Sequence, residues 1–151
     1  MAVLHLGVVD VAYSDPNKQD LTTTGEIAEI LEKNFEVIGT FYEIYGQKIA
    51  DIMADSMSKE LAAMAKGEPL GGQPIETAMQ KIEALFRSYL DNHEWEQTTG
   101  ITVAAAHQGI SHRFKDVMND KGERGKRPAF VDTGLYQASF RTWLDMKLRG
   151  F

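Results

Sequence analysis

The chain of 151 residues contains no cysteine, only four prolines and two tryptophans, and no apolar run of membrane-spanning length. Each shortage removes a class of explanation. Without thiols there are neither disulfides nor thiolate metal sites, so packing and association must supply stability, and the redox compartment stays open with a lean toward a reducing cytoplasm. No segment approaches the roughly 20 consecutive apolar residues that a transmembrane helix requires. Residues 1–13 are interrupted by His5, Gly7 and Asp10 and lack the charged head of a signal peptide, so a soluble protein is expected.

Motifs that carry chemistry are equally scarce. The histidines are His5, His93, His107 and His112. His107 and His112 are five apart, which misses the i,i+4 spacing that joins two imidazoles on one helical face, and the glutamate of a zincin is absent between them. His5 falls on a predicted strand and reads as a satisfied or interfacial residue. His93-Glu94-Trp95-Glu96 sits at a predicted helix end, where nothing buries an acid or base enough to tune it, and reads as a solvated terminus. Neither Thr22-Thr23-Thr24-Gly25 nor Gly67-Glu68-Pro69-Leu70-Gly71-Gly72 fits a phosphate-binding loop, because no Gly-Lys-Ser/Thr or Gly-x-Gly-x-x-Gly follows a strand. No catalytic residue, cofactor or metal is expected, and the chain does not read as an enzyme.

What is present is an uneven distribution of charge. Residues 1–112 hold seven Lys/Arg against seventeen Asp/Glu, a balance of −10, whereas residues 113–151 hold nine against five, a balance of +4, for a net charge of −6. An acidic and a basic surface on one chain favour head-to-tail docking, which is how identical subunits can be oriented in a ring. The basic side chains gather at Lys121, Arg124, Lys126 and Arg127, with Arg113 and Lys115 upstream. They suit DNA phosphates or an acidic neighbour, although the overall acidity argues against tight binding of free DNA.

β-branched and aromatic residues over 3–13 end at Ser14-Asp15-Pro16-Asn17, which predicts a strand followed by a turn. Thr22, Thr23 and Thr24 offer N-cap oxygens and Glu26 a first-turn carboxylate, so a helix is expected from residue 24. Leu31, Phe35, Ile38, Tyr42, Tyr45, Ile49 and Ile52 then recur at alternating spacings of four and three, a heptad seam. Met53, Met57, Leu61 and Met64 form a neighbouring stripe, as expected when the buried face of a 3.6-residue helix rotates away from a 3.5-residue repeat. The helix is predicted over 24–66, with Gly67 as its stop. At about 1.5 Å per residue it would reach on the order of 60 Å, longer than a compact domain of this size, so a kink or an oligomer must follow. Gly39 and Gly46 are the candidate positions for a kink or for close approach of another helix.

Residues 67–74 read as a hinge. Helices are predicted over 75–95, through Ile75, Met79, Ile82, Leu85 or Phe86, and Tyr89 or Leu90, and over 101–118, through Val103, His107, Ile110, Phe114 and Val117 or Met118. Residues 119–127 have no apolar side chain and read as a basic loop. A C-terminal turn and strand occupy 128–148, with Phe140, Thr142, Leu144 and Met146 on one side of the strand and Arg141, Trp143, Asp145 and Lys147 on the other. The fold class that follows is α+β in a single domain, residues 1–151: a long N-terminal helix and two further helices packed with a small antiparallel or mixed sheet that uses both chain ends. Two strands are marginal alone, so further strand partners are expected from residues 127–132 or from a neighbouring subunit.

Within the last third stands Arg127-Pro128-Ala129-Phe130-Val131-Asp132-Thr133-Gly134-Leu135-Tyr136-Gln137-Ala138-Ser139-Phe140-Arg141-Thr142-Trp143. Pro128 disfavours helix before it, and Asp132 or Thr133 can cap a short helix over 135–139. The run resembles the tailed-phage neck and tail-completion proteins of the lambda minor tail protein Z class, in which Thr-Gly, Leu, two spacers and Ser lead from a short helix into a strand. Here Ser139 follows Thr133-Gly134-Leu135 after a spacer one residue longer, which leaves the subfamily open; a tail terminator also suits the N-terminal strand and long helix. The resemblance implies a structural virion protein, assembled in the host cytoplasm, that forms a six- or twelvefold ring between connector or stopper proteins and tail terminator or tube proteins, with DNA as passing cargo and no membrane partner. It singles out Arg127, Phe130, Asp132, Thr133, Gly134 and Leu135 for the turn, and Phe140 and Trp143 for the strand that docks it. The basic residues Lys121, Arg124 and Lys126 are the expected interface loop. The other class open to this chain is a small helical module that dimerises along its seam and binds a ligand in a pocket faced by Tyr42 and Tyr45.

Overall fold

A computed structural model describes residues 2–11, 23–69, 71–100 and 135–146. They form β1 (Ala2–Val8), α1 (Thr24–Phe35), α2 (Val37–Ala65), α3 (Gln73–Asp91), α4 (Glu94–Thr99), α5 (Leu135–Ser139) and β2 (Phe140–Met146). The fold is α+β, mostly helical, with a two-stranded antiparallel sheet made by the two chain ends. The helix expected over 101–118, the loop over 119–127 and the turn before residue 135 lie outside the described residues. Among the described residues no helix is long and apolar enough to cross a membrane.

β1 is shorter than the predicted strand because the chain after Val8 turns to cap α1. The Thr24 hydroxyl donates to the Val9 carbonyl at 2.6 Å and accepts from the Val11 N–H at 2.8 Å. Thr23 and Glu26 complete a capping box at the first turn of α1. Asp10 accepts the Gly25 N–H at 2.9 Å, and a Cβ at residue 25 would stand 2.7 Å from that carboxylate oxygen, so glycine is what admits it. The hydrogen bonds from Thr23 and Gly25 hold the Asp10 carboxyl below the usual carboxylate range.

The long helix is broken, but at neither candidate glycine: Glu36 adopts φ 47° and ψ 48° between α1 and α2, and Gly39 and Gly46 are both helical. The reason lies one turn back. Glu32 folds its carboxylate over the start of α2, where its two oxygens accept the N–H groups of Ile38 and Gly39 at 2.8 Å each. A negative charge there satisfies orphan donors and favours the positive end of the helix dipole. In an unbroken helix the Gly39 N–H would bond the Phe35 carbonyl; that carbonyl instead accepts the indole N–H of Trp95 at 3.0 Å. The Tyr89 hydroxyl donates to the Val37 carbonyl at 3.1 Å. Gly39 leaves room for the cap, since a Cβ would lie 3.1 Å from Glu32 Oε1.

The left-handed conformation costs a residue with a Cβ about 1 kcal/mol. Glu36→Gly is therefore expected to raise stability by about 0.5–1 kcal/mol and the melting temperature by a few degrees. A melt followed by circular dichroism checks this; a lower midpoint would mean that the Glu36 side chain contributes more than its backbone costs.

The predicted seam nevertheless stays inward on both sides of the break at six of its seven positions: Leu31 and Ile49 are buried, and Phe35, Ile38, Tyr45 and Ile52 pack against the core. Phe41 is fully buried, whereas its seam neighbour Tyr42 is 58% exposed. The second stripe is inward only at its start: Met53 is buried, but Met57, Leu61 and Met64 are exposed.

α3 starts at Gln73, earlier than predicted, with Pro74 in its first turn, and stops at Asp91. His93, at φ 57°, separates it from α4, which Gly100 closes at φ 72°. Ala78, Ile82, Phe86, Tyr89 and Leu90 are its buried residues, and α2 and the sheet pack against it. The centre of the core is aromatic. Phe86 stacks on Phe140 at 3.9 Å and meets Phe41 edge-on at 5.2 Å, and Phe41 in turn contacts Tyr89 at 5.4 Å. Rings of this size bury roughly 150–250 Å² each and dominate the energetics of a small core.

In the sheet, Leu4, Leu6 and Val8 pair with Leu144, Thr142 and Phe140 on the face toward the core. Val3, His5 and Gly7 pair with Asp145, Trp143 and Arg141 on the outer face. The period-two reading of β2 thus holds. α3 supports the pair: Glu83 accepts the Thr142 N–H at 3.0 Å, and the Thr142 hydroxyl donates to the Met79 carbonyl at 3.3 Å; residues 127–132, expected as a further strand partner, lie outside the described residues.

Candidate assembly surface

Of the residues singled out by the resemblance, Lys121, Arg124, Lys126, Arg127, Phe130, Asp132, Thr133 and Gly134 lie outside the described residues. Leu135 opens α5, and the short helix passes directly into β2 at Phe140. Two residues that the sequence reading did not select hold this unit in place. Tyr136 is buried against Phe86, and the Gln137 amide donates to the Arg87 carbonyl and to the Asp91 carboxylate, both at 2.9 Å. These contacts tie α5 to the end of α3. Ser139, the serine of the pattern, sits at the junction; its hydroxyl donates to the Tyr136 carbonyl at 2.9 Å, and its own carbonyl accepts the Val9 N–H at 2.8 Å. Its role in the described contacts is to end the helix and start the sheet.

Phe140 and Trp143, paired in the sequence reading as residues that dock the strand, separate onto opposite faces. Phe140 is fully buried in the aromatic core, whereas Trp143 is 45% exposed on the outer face. Trp143 stacks on His5 with ring centroids 5.2 Å apart and planes 7° from parallel, and His5 Nε2 lies 3.4 Å from the Asp145 carboxylate. Gly7 makes room for the indole, since a Cβ there would come within 3.0 Å of it. The outer face therefore presents a flat aromatic pair flanked by Arg141 and Asp145, a surface suited to stacking and polar contact. His5 thus faces away from the core with Trp143 and Asp145 as its neighbours.

The His93 to Glu96 stretch is not a solvated terminus. Trp95 is among the most buried residues, and Phe35 meets it edge-on at 5.8 Å. Glu94 accepts the Tyr45 hydroxyl at 2.5 Å. Burial, then that hydrogen bond and the charge of Glu94, push the Tyr45 phenol up to about 12. Tyr89 is also pushed up, chiefly by burial. Both phenols stay protonated and act as structural donors.

A cleft of about 500 Å³ lies along α2 and α3, lined among others by Lys48, Asp51, Asp55, Lys59, Thr77 and Lys81. Lys59 pairs with Asp55 at 2.6 Å and holds that carboxyl below its ordinary range. Cations and carboxylates are thus interleaved along its wall, and neither Tyr42 nor Tyr45 lines it, so the pocket expected for a seam-tyrosine module is a different one from this cleft. Among the described residues no group of three His, Asp or Glu side chains is placed to hold a metal ion. Scans of the chain against family models, curated proteins and solved structures find no significant match.

Proposed function

We propose that this chain is a structural subunit of a tailed-phage virion that assembles into a six- or twelvefold ring at the head–tail junction, between connector or stopper proteins and tail terminator or tube proteins. It performs no reaction, and DNA passes it as cargo. The observation that carries this reading is the unit from Leu135 to Met146, in which a short helix turns into the strand that closes the sheet, as the resemblance over residues 127–143 implies. The divided charge supports it further: the acidic portion includes exposed Glu26, Glu29 and Glu36 on and beside α1, and the basic cluster lies at Lys121, Arg124, Lys126 and Arg127. Docking of one subunit's basic cluster on the next subunit's acidic helix gives a heterologous contact, the kind that closes rings.

Lys126→Glu combined with Arg127→Glu is expected to abolish ring formation, alone or with the neighbouring neck protein, while leaving thermal unfolding unchanged. Native mass spectrometry and negative-stain microscopy read the first effect and calorimetry the second. A ring formed normally by this variant would refute the docking role. Turnover of a metabolite by the purified protein would end the structural reading altogether.

A further inference from the structure

We propose that the exposed stripe of α2 is a twofold contact between two copies of this chain, with their α2 helices antiparallel. The stripe is Tyr42, Gly46, Ala50, Ala54, Met57, Leu61 and Met64, at steps of four, four, four, three, four and three. That rhythm contains an eleven-residue repeat, which keeps side chains on one line of a nearly straight helix instead of spiralling as a heptad does. Tyr42 is 58%, Met57 39%, Leu61 65% and Met64 53% exposed, although all four are large and apolar. Glu43 falls on the line of Leu61 and Glu60 on that of Tyr42, five turns apart in each case, while Lys48, Asp51, Asp55 and Lys59 line the cleft toward α3.

The order of sizes along the stripe selects the partner. Its N-terminal half after Tyr42 is small, Gly46, Ala50 and Ala54, and its C-terminal half is bulky, Met57, Leu61 and Met64. A twofold axis between residues 53 and 54 sets Leu61 over Gly46 of the second copy and Met57 over Ala50, with the two exposed Ala54 side chains beside the axis, so that the bulky half of each stripe meets the small half of the other. A parallel pair would put bulk on bulk and leave the glycine layer empty. Gly46 adds a second argument. Glycine inside a helix weakens it, and the nearest atoms a Cβ at this position would meet are those of the Tyr42 ring, at an ordinary 3.5 Å, so no described neighbour requires its absence. Close approach of another helix does. The flexible methionines adapt to such a seam.

The area is also adequate. The twenty-three residues from Tyr42 to Met64 extend about 33 Å, and half the surface of a cylinder about 11 Å across is on the order of 600 Å². Two copies together then bury about 1,200 Å², where standard stable interfaces begin. This contact is isologous and distinct from the heterologous ring contact proposed above, and it stands whether or not the chain belongs to a virion.

The absence of native cysteine makes the geometry directly testable. In sedimentation velocity at micromolar concentration the full chain is expected to run as a dimer or an even-numbered assembly, and Met57→Glu with Leu61→Glu to raise the dissociation constant at least a hundredfold with an unchanged circular dichroism spectrum. With a short bis-maleimide, Ala54→Cys should cross-link to itself, and a mixture of Ala50→Cys and Met57→Cys chains should give mainly the mixed dimer. Lys48→Cys, on the cleft side, should not cross-link. A monomer under these conditions, an unchanged mass for the double variant, or cross-linking of Ala50→Cys to itself in preference to Met57→Cys would each overturn the proposal.

Discussion

Phe140→Ala is expected to cost about 3–5 kcal/mol, the range for removing a buried aromatic side chain, whereas Trp143→Ala, three residues later in the same strand, should cost under about 1 kcal/mol. The contrast follows from the sheet's two faces. Phe140 is fully buried, stacked on Phe86 and set edge-on to Phe41, and it is the first residue of the strand that pairs with β1. Its loss opens a cavity where α2, α3 and the sheet meet, and neighbouring rings collapse only partly into such a void. Trp143 gives up one stack on His5 from a position that solvent already reaches. Domains of this kind are stable by about 5–15 kcal/mol, so Phe140→Ala removes a large share and Trp143→Ala a small one. Urea titrations followed by circular dichroism measure both. Equal costs would mean that the strand does not lie in this register.

The difference between the two aromatics also marks what could be read from the residues alone. Alternation along 140–146 places Phe140, Thr142 and Leu144 on one face without reference to any partner, because a strand's period is a local property. Which face meets the core, and that His5 stands opposite Trp143, depends on pairing across the whole length of the chain, and no local pattern carries it. The start of α1 was legible for the same local reason: Thr23 and Glu26 form a capping box three residues apart. The seat of α5 was not, because the Gln137 amide reaches Arg87 and Asp91, some fifty positions earlier.

The helix break shows the same limit from the other side. Gly39 and Gly46 invite a kink by their own flexibility, yet the chain breaks at a glutamate. The causes are a carboxylate four residues before it and an indole nearly sixty residues after it. Gly39 was read as a place for a kink or for close approach of another helix; what stands against it is the Glu32 side chain.

That arrangement makes Trp95 the position with the other large expected effect. Trp95→Ala should cost about 3–5 kcal/mol through lost burial, and Trp95→Phe about 0.5–1.5 kcal/mol, because it removes the hydrogen bond from the indole to the Phe35 carbonyl. Glu32→Gln removes the charge that caps α2 and should cost about 1 kcal/mol. Since Trp95 holds the carbonyl released by the break and Glu32 holds the N–H groups released by it, each substitution removes much of what makes the other residue useful. The double variant Glu32→Gln with Trp95→Phe should therefore cost less than the sum of the singles, by about 0.5 kcal/mol or more. Chemical denaturation of the four proteins decides this; strict additivity would show that the two ends of the break are held independently. The stripe from Tyr42 to Met64 begins beyond the break, so cross-linking between Ala50→Cys and Met57→Cys should survive Trp95→Phe at temperatures where the fold persists. Loss of cross-linking together with the break would show instead that the angle between α1 and α2 is part of the contact between copies.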